Sequence, residues 1–299
     1  MKIKRRDFVR LAGTGCLTLL AGDVIAKEGV GPSEWENAYG VLVDTTVCVG
    51  CRQCEWACKK TNFDPNADKA DFEDKSVFKK HRRPDELSYT VVNEYHDPAK
   101  PEAVYTMKVQ CMHCNEPACV SGCIVGALEK TKDGPVIYDA WKCIGCRYCI
   151  VACPFQIPAY EYDNALTPQI RKCTLCFNRL KEGKKPACVE ACPTEALIFG
   201  ARGKLLGLAH SKIKTHPDRY KNHIYGEHEI GGTSWLYLTT VDFKNTELPE
   251  LPSYSIPPKT EKIQHGIFKW FIPPIAFYGL LGLIMYSKEN NKNKQKVEK

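Results

Sequence analysis

Cys143-Ile-Gly-Cys146-Arg-Tyr-Cys149-Ile-Val-Ala-Cys153-Pro154 is the stretch on which the reading of this chain turns. Its spacing, C-x2-C-x2-C-x3-C-P, is the run by which bacterial ferredoxins hold cubane iron–sulfur clusters. Three closely spaced thiolates cap three corners of one cube, and the fourth Cys reaches another. Three further quartets flank it: Cys48, Cys51, Cys54 and Cys58; then Cys111, Cys114, Cys119 and Cys123; then Cys173, Cys176, Cys188 and Cys192. Chance would not order sixteen of the chain's seventeen Cys in this way.

The quartets repeat. Asp44 and Cys48-x-Gly50-Cys51-x2-Cys54-x2-Ala57-Cys58 match Asp139 and Cys143-x-Gly145-Cys146-x2-Cys149-x2-Ala152-Cys153. Pro117-Ala118-Cys119-Val120-x2-Cys123-x3-Ala127-Leu128 likewise matches Pro186-Ala187-Cys188-Val189-x2-Cys192-x3-Ala196-Leu197. An alternation of two loop types predicts an α+β fold with two pseudo-symmetric ferredoxin-like modules, each built for two [4Fe–4S] clusters. Gly50 and Gly145 are expected where a Cβ would crowd the cube and backbone N–H groups turn toward sulfur. Pro154 and Pro193 end the third and fourth quartets, while Lys59 and Ile124 stand there in the first and second. That departure predicts altered solvent access or potential, not loss of a cluster. Disulfides are disfavoured, because crowded neighbours could not all pair with distant partners. Structural zinc usually takes separated C-x2-C pairs, not runs of three plus one.

Residues 1–26 read as an export segment. Arg5-Arg6 precedes a short apolar stretch, Leu11–Leu20, with small residues near Ala26, the pattern of a twin-arginine signal. Cys16 belongs to no quartet. The cluster domain is then expected over 27–200. Tyr39–Asp44 alternates like a strand, Trp56-Ala57 begins a helix carrying Cys58, and 59–110 reads as a charged surface insertion with one strand at Tyr89–Val92. Over 201–262, Lys204–Lys214 suggests an amphipathic helix and Ser234–Thr239 a strand, followed by a Pro-rich linker at 248–258.

Residues 267–286 carry a single charge, Lys269, with Trp270-Phe271 at one end and Tyr286 at the other. This is the pattern of a single transmembrane helix, short for a span and interrupted by Pro273-Pro274. The Lys-rich 287–299 tail is then cytoplasmic, placing the cluster domain on the outer side of a bacterial inner membrane. The formal charge of +7 does not indicate nucleic acid. Cluster ligation and removal of the basic leader bring the exported protein to about −4.

The quartets and both termini together resemble the four-cluster iron–sulfur subunits of membrane oxidoreductases, including those of dimethyl sulfoxide reductase, nitrate reductase and formate dehydrogenase. Within that group the chain is similar to the HybA-type components of hydrogenase-2-type [NiFe] hydrogenases. Arg5-Arg6, Cys48-Val49-Gly50-Cys51, Gln110-Cys111-Met112-His113-Cys114 and Cys146-Arg147-Tyr148-Cys149 carry the likeness. It continues in Tyr225-Gly226-Glu227, Gly231-Gly232-Thr233 and Ile263-Gln264-His265. The resemblance implies nested ligation of four [4Fe–4S] clusters. The first would be held by Cys48, Cys51, Cys54 and Cys192, and the second by Cys58, Cys173, Cys176 and Cys188. The third would take Cys111, Cys114, Cys119 and Cys153, and the fourth Cys123, Cys143, Cys146 and Cys149.

The function so implied is an electron relay in the periplasm. A catalytic subunit, hydrogenase-like or molybdopterin-dependent, would lie on one side. An integral membrane quinone-reactive subunit or cytochrome would lie on the other. No G-x-G-x-x-G, P-loop, G-x-S-x-G or H-E-x-x-H zinc motif is present, so no catalytic site of its own is expected. A self-contained reductase would need a site in 59–110, where His81 and His96 read as surface residues, or in the C-terminal region. His113, between two ligands, is a candidate for tuning a cluster or for packing, and His265 a candidate neighbour of a quinone headgroup.

Overall fold

The computed structural model describes residues 35–97, 100–261 and 277–287. The expected export segment, Cys16, His265, the first part of the expected span and all but one residue of the basic tail lie outside the described residues.

In chain order the elements are β1 (Tyr39–Asp44), α1 (Gln53–Asn62), β2 (Thr90–Asp97), β3 (Lys100–Gln110), α2 (Ala118–Ser121), β4 (Leu128–Lys130), β5 (Val136–Tyr138) and α3 (Tyr148–Ala152). There follow β6 (Ala159–Tyr160), β7 (Ile170–Arg171), α4 (Phe177–Lys181), α5 (Ala187–Glu190), β8 (Leu197–Ala201), α6 (Arg202–Thr215) and β9 (Trp235–Leu238).

The alternation in β1 has a two-sided use. Val41 and Val43 join the main core with Trp235 and Tyr237. Leu42 faces the other way, onto Leu205, Ala209 and Ile213 of α6 with Leu236 and Leu238. β1 is central in its sheet, antiparallel to β8 and parallel to β9. It is covered on both faces, and each fully buried Val or Leu contributes about 1.5–3 kcal/mol relative to exposure.

The outer module is assembled from the first and last quartets and the inner module from the adjacent middle two. β1 and β8 bracket the first and last quartets, and α1 packs on α5. β4 and β5 form a hairpin between the middle two, and α2 packs on α3. One module is therefore inserted within the other.

Three expectations change. The stretch 59–110 is not only a surface insertion: β2 and β3 form a long hairpin whose Val91, Tyr95, Met107 and Val109 enter the main core. Alternation beats charge there, because one face of each strand is apolar. Helix α1 starts at Gln53, directly after Arg52 in the left-handed conformation, so Cys54 already lies in its first turn. The Pro-rich linker is anchored: Tyr225 Oη donates to the Pro249 carbonyl at 2.6 Å and Ile230 N–H to that of Pro252 at 2.7 Å.

Residues 277–287 are helical, with Phe277, Tyr278, Leu280, Leu283 and Met285 exposed. Among the described residues no helix is long and apolar enough to cross a membrane.

Candidate metal centre

Each quartet opens with a Cys-x-x-Cys loop, and all four loops make the same turn. The residue before the second Cys is left-handed in every case: Gly50 at φ 61°, His113 at 48°, Gly145 at 69° and Leu175 at 54°. The turn brings backbone N–H groups round to sulfur. Gly145 N–H donates to Cys143 Sγ at 3.4 Å and Leu175 N–H to Cys173 Sγ at 3.3 Å. Ala127 N–H donates to Cys123 Sγ at 3.1 Å.

The repeated aspartates hold the approach to the first and third loops. Asp44 Oδ1 accepts from Thr46 N–H at 3.1 Å, and Asp139 Oδ1 from Trp141 N–H at 3.0 Å, so both close a turn two residues on. Directly after the second Cys of the first and third quartets, α1 and α3 begin from Arg52 and Arg147, whose dihedrals are nearly identical. The two arginines then diverge. Arg52 pairs with buried Glu55 at 2.9 Å, whereas Arg147 lies over the Tyr160 and Tyr162 rings.

The sixteen described thiols gather into four groups that cut across the quartets. Cys48, Cys51, Cys54 and Cys192 line one recess of about 390 Å³, counting the space at its mouth. Cys58, Cys173, Cys176 and Cys188 line a second of about 330 Å³. Cys114 feels Cys153, Cys119 and Cys111 as its nearest titrating neighbours after burial. Cys149 likewise feels Cys143, Cys123 and Cys146. Neighbouring groups also interact, through Cys54 with Cys188, Cys173 with Cys111, and Cys119 with Cys149. These interactions link the first group to the second, the second to the third and the third to the fourth.

Burial drives the thiols upward. Cys54, Cys58 and Cys114 lie well above the usual range, and Cys119 and Cys173 are pushed up to about 12. Such thiols give up their protons in exchange for metal. Among the described residues no group of three His, Cys, Asp or Glu could hold a single ion.

The donor set fits [4Fe–4S] chemistry. Four thiols surround each lined recess, backbone N–H groups point at sulfur, and an orphan donor sits beside one group. His113 is buried, its Nδ1 accepts from Val136 N–H at 2.8 Å, and its Nε2 has no partner. Burial, then Lys172, Lys130 and Lys108, hold its ring neutral, so the proton sits on Nε2.

Cys146 is the one exposed thiol among those described. Ile144, Tyr148, Val151 and Trp141, the last 99% exposed, accompany it in sequence, and Ile124 follows Cys123 of the same thiol group. His81 stacks edge-on against Tyr95, and His96 lies opposite Val104 in the hairpin; neither joins a thiol group. Sequence reasoning missed Lys108, a buried cation lining both recesses, because nothing in a charged strand marks which Lys points inward.

Residues 103–202 match the 4Fe-4S dicluster domain family. A protein of Nitratidesulfovibrio vulgaris is 49% identical over 250 residues, 82% of this chain and 67% of its own. The hydrogenase-2 operon protein HybA of Escherichia coli O157:H7 is 36% identical over 328 residues, covering 97% of each chain. The nitrate-inducible formate dehydrogenase iron-sulfur subunit of Escherichia coli is 32% identical over 278 residues, 88% of each.

Proposed function

Because this chain belongs to the family of iron–sulfur subunits that includes HybA and the formate dehydrogenase iron-sulfur subunit, we propose that it holds four [4Fe–4S] clusters in a row as an electron relay. It is an electron-transfer subunit of an oxidoreductase complex, and a catalytic subunit is its partner. The four thiol groups are the ligand sets: Cys48, Cys51, Cys54, Cys192; Cys58, Cys173, Cys176, Cys188; Cys111, Cys114, Cys119, Cys153; and Cys123, Cys143, Cys146, Cys149. The observation that carries this reading is the crossing of quartets, which gives every group three thiols from one quartet and a fourth from another.

Bound clusters of this kind accept and release single electrons. The chain's own residues do the rest. Cys thiolates fix the positions, Gly145 and Leu175 N–H groups stabilise negative charge on sulfur, and the core around Leu175, Met112 and Trp235 keeps water from the inner groups. The exposed apolar ground around Cys146 is one end of the row, and a partner's redox centre meets the relay there.

The catalytic partner is hydrogenase-like, since the likeness to HybA extends over 97% of both chains. The other partner is a membrane quinone-reactive subunit or cytochrome. Residues 267–286 anchor the protein in the bacterial inner membrane, a role supported by the exposed apolar side chains of the 277–287 helix. The twin-arginine pattern at Arg5-Arg6 supports export in folded form and a periplasmic cluster domain.

Purified full-length protein tests the reading by iron analysis and redox-titrated EPR. Four clusters require about sixteen iron atoms per chain. Zinc in place of iron, or about half that iron, would overturn the four-cluster reading.

A further inference from the structure

Lys108 stands on β3, and its side chain is an outlier for a charged residue: the whole residue is only 2% exposed. An ammonium taken out of water is costly unless something anionic or polar replaces its solvation. Its direct partners are few. Nζ donates to Gln110 Oε1 at 2.8 Å and lies 4.4 Å from the centroid of the buried Trp235 ring. Gln110 Nε2 donates to Tyr237 Oη at 2.7 Å, and Tyr237 Oη donates back to the Lys108 carbonyl at 2.8 Å. This closed loop fixes the side chain without supplying a negative charge.

What surrounds Lys108 beyond that loop is sulfur. It lines the recess of Cys58, Cys173, Cys176 and Cys188, and equally the recess of Cys48, Cys51, Cys54 and Cys192. Burial works against its charge, but Cys188, Cys54, Cys173 and Cys58 outweigh burial and hold it protonated. These thiols come from both recesses. A ligated cubane is anionic, and reduction adds one more negative charge to it. A fixed cation between two such sites therefore favours the reduced form of each, in a low-dielectric setting where charges act strongly.

We propose that Lys108 is a shared counter-ion of the first two clusters in the row, raising both of their midpoint potentials from a single position. The proposal rests on the two recesses being cluster sites. It is a positioning role: Lys108 touches no iron and transfers no electron. One buried cation serving two sites also couples them, since each added electron draws on the same charge. Neighbouring cations differ in this respect. Lys172 is spent on the Val136 and Cys173 carbonyls, and Lys130 on those of His113 and Gly134.

The test is Lys108→Met and Lys108→Arg in the full-length protein, each read by iron content and by redox-titrated EPR. Cys54→Ser and Cys188→Ser mark which signals belong to which recess. If neither marker variant alters a cluster signal, the recess assignment itself has failed, separately from the role of Lys108. Expected for Lys108→Met is full iron, two marked potentials moved negative together, and the other two unmoved. The shifts should persist at high salt, because a buried charge escapes ionic screening. Lys108→Arg should leave both potentials close to those of the native protein. If Lys108→Met loses iron while Lys108→Arg keeps iron and potentials, the counter-ion role stands. Unchanged potentials in a fully loaded Lys108→Met protein overturn it. So does loss of iron in both variants, which would mark a packing role, and a shift confined to one cluster overturns the sharing.

Discussion

His113 and Leu175 occupy equivalent left-handed positions in two Cys-x-x-Cys loops, at φ 48° and 54°, where the other two loops use Gly50 and Gly145. A side chain is tolerated there only if it is held, and His113 is held by the 2.8 Å bond from Val136 N–H to its Nδ1. His113→Leu copies the residue of the sister loop but strands that buried N–H. It should cost about 1–3 kcal/mol, seen in chemical denaturation of the loaded protein. The same replacement should also alter the EPR of one cluster, that of Cys111, Cys114 and Cys119.

Gly50 and Gly145 should not respond alike to Ala. At Gly50 an added Cβ would stand 2.8 Å from Thr106 Cγ2, a β-branched side chain tied by its hydroxyl to the Cys48 carbonyl. At Gly145 it would meet the Tyr160 hydroxyl at 3.1 Å, the far end of a side chain that can move. Both pay the left-handed penalty of about 1–2 kcal/mol. Gly50→Ala should therefore lose iron and melt lower than Gly145→Ala, and equal losses would contradict the contact argument.

Asp44 links β1 to α6. Burial pushes its carboxyl up, but hydrogen bonds from Lys212, Thr46 and Tyr220 outweigh that and hold it below its ordinary value of 3.8. Lys212 Nζ donates to Oδ2 at 2.7 Å and Tyr220 Oη at 2.8 Å. A carboxyl depressed by folding stabilises above its unfolded value, and that contribution fades only as pH falls through the lower, folded value. The penalty of Asp44→Asn, about 1–3 kcal/mol, should hence be constant between about pH 5 and 8. Denaturation midpoints of both proteins across that range check this, and a sloping difference would show that another group carries the effect.

The cysteine loops were legible because cluster chemistry demands Cys at fixed spacing, and local rules sufficed for β1, α6 and β9. The ferredoxin spacing already sends the fourth Cys of a run to another cluster, but which quartets meet was expected from the resemblance, since loop spacing does not say which loops meet in space. The hairpin of β2 and β3 was half missed: Lys100, Glu102 and Lys108 read as surface, although Val109 and Met107 alternate with them. Whether a Lys in such a strand is solvated or buried depends on what packs across it. For Lys108 that is Trp235, which lies 127 residues further along the chain. The turn at His113 was hidden for a related reason, because glycine signals a left-handed turn and a tethered His does not.

The apolar ground beside Cys146 predicts a partner contact. Val151 and Trp141 are exposed at 81% and 99%, so Val151→Lys and Trp141→Ala should leave folding and iron content unchanged. Electron transfer to or from the assembled complex should fall in both. Purified complex, assayed with an artificial acceptor for the catalytic subunit alone and a quinone analogue for the whole path, separates the two effects. Full activity of Val151→Lys on both assays would remove this surface from the path.

Cys153 offers the sharpest test of the ligand sets, because sequence proximity and spatial grouping disagree about it. It ends the run that starts at Cys143, yet Cys111 is the thiol whose charge it feels most after burial and a backbone bond from Ile157. Cys114 in turn feels Cys153 above all other thiols. Cys153→Ser should therefore disturb the cluster of Cys111, Cys114 and Cys119, whose ligands begin far upstream. In EPR it should change the signal that Cys114→Ser changes and spare the one that Cys146→Ser changes. The opposite pattern would return Cys153 to its own loop and dissolve the nested arrangement. Alteration of both signals by Cys153→Ser alone would show instead that the inner module unfolds as a unit, which circular dichroism of the variant would register directly.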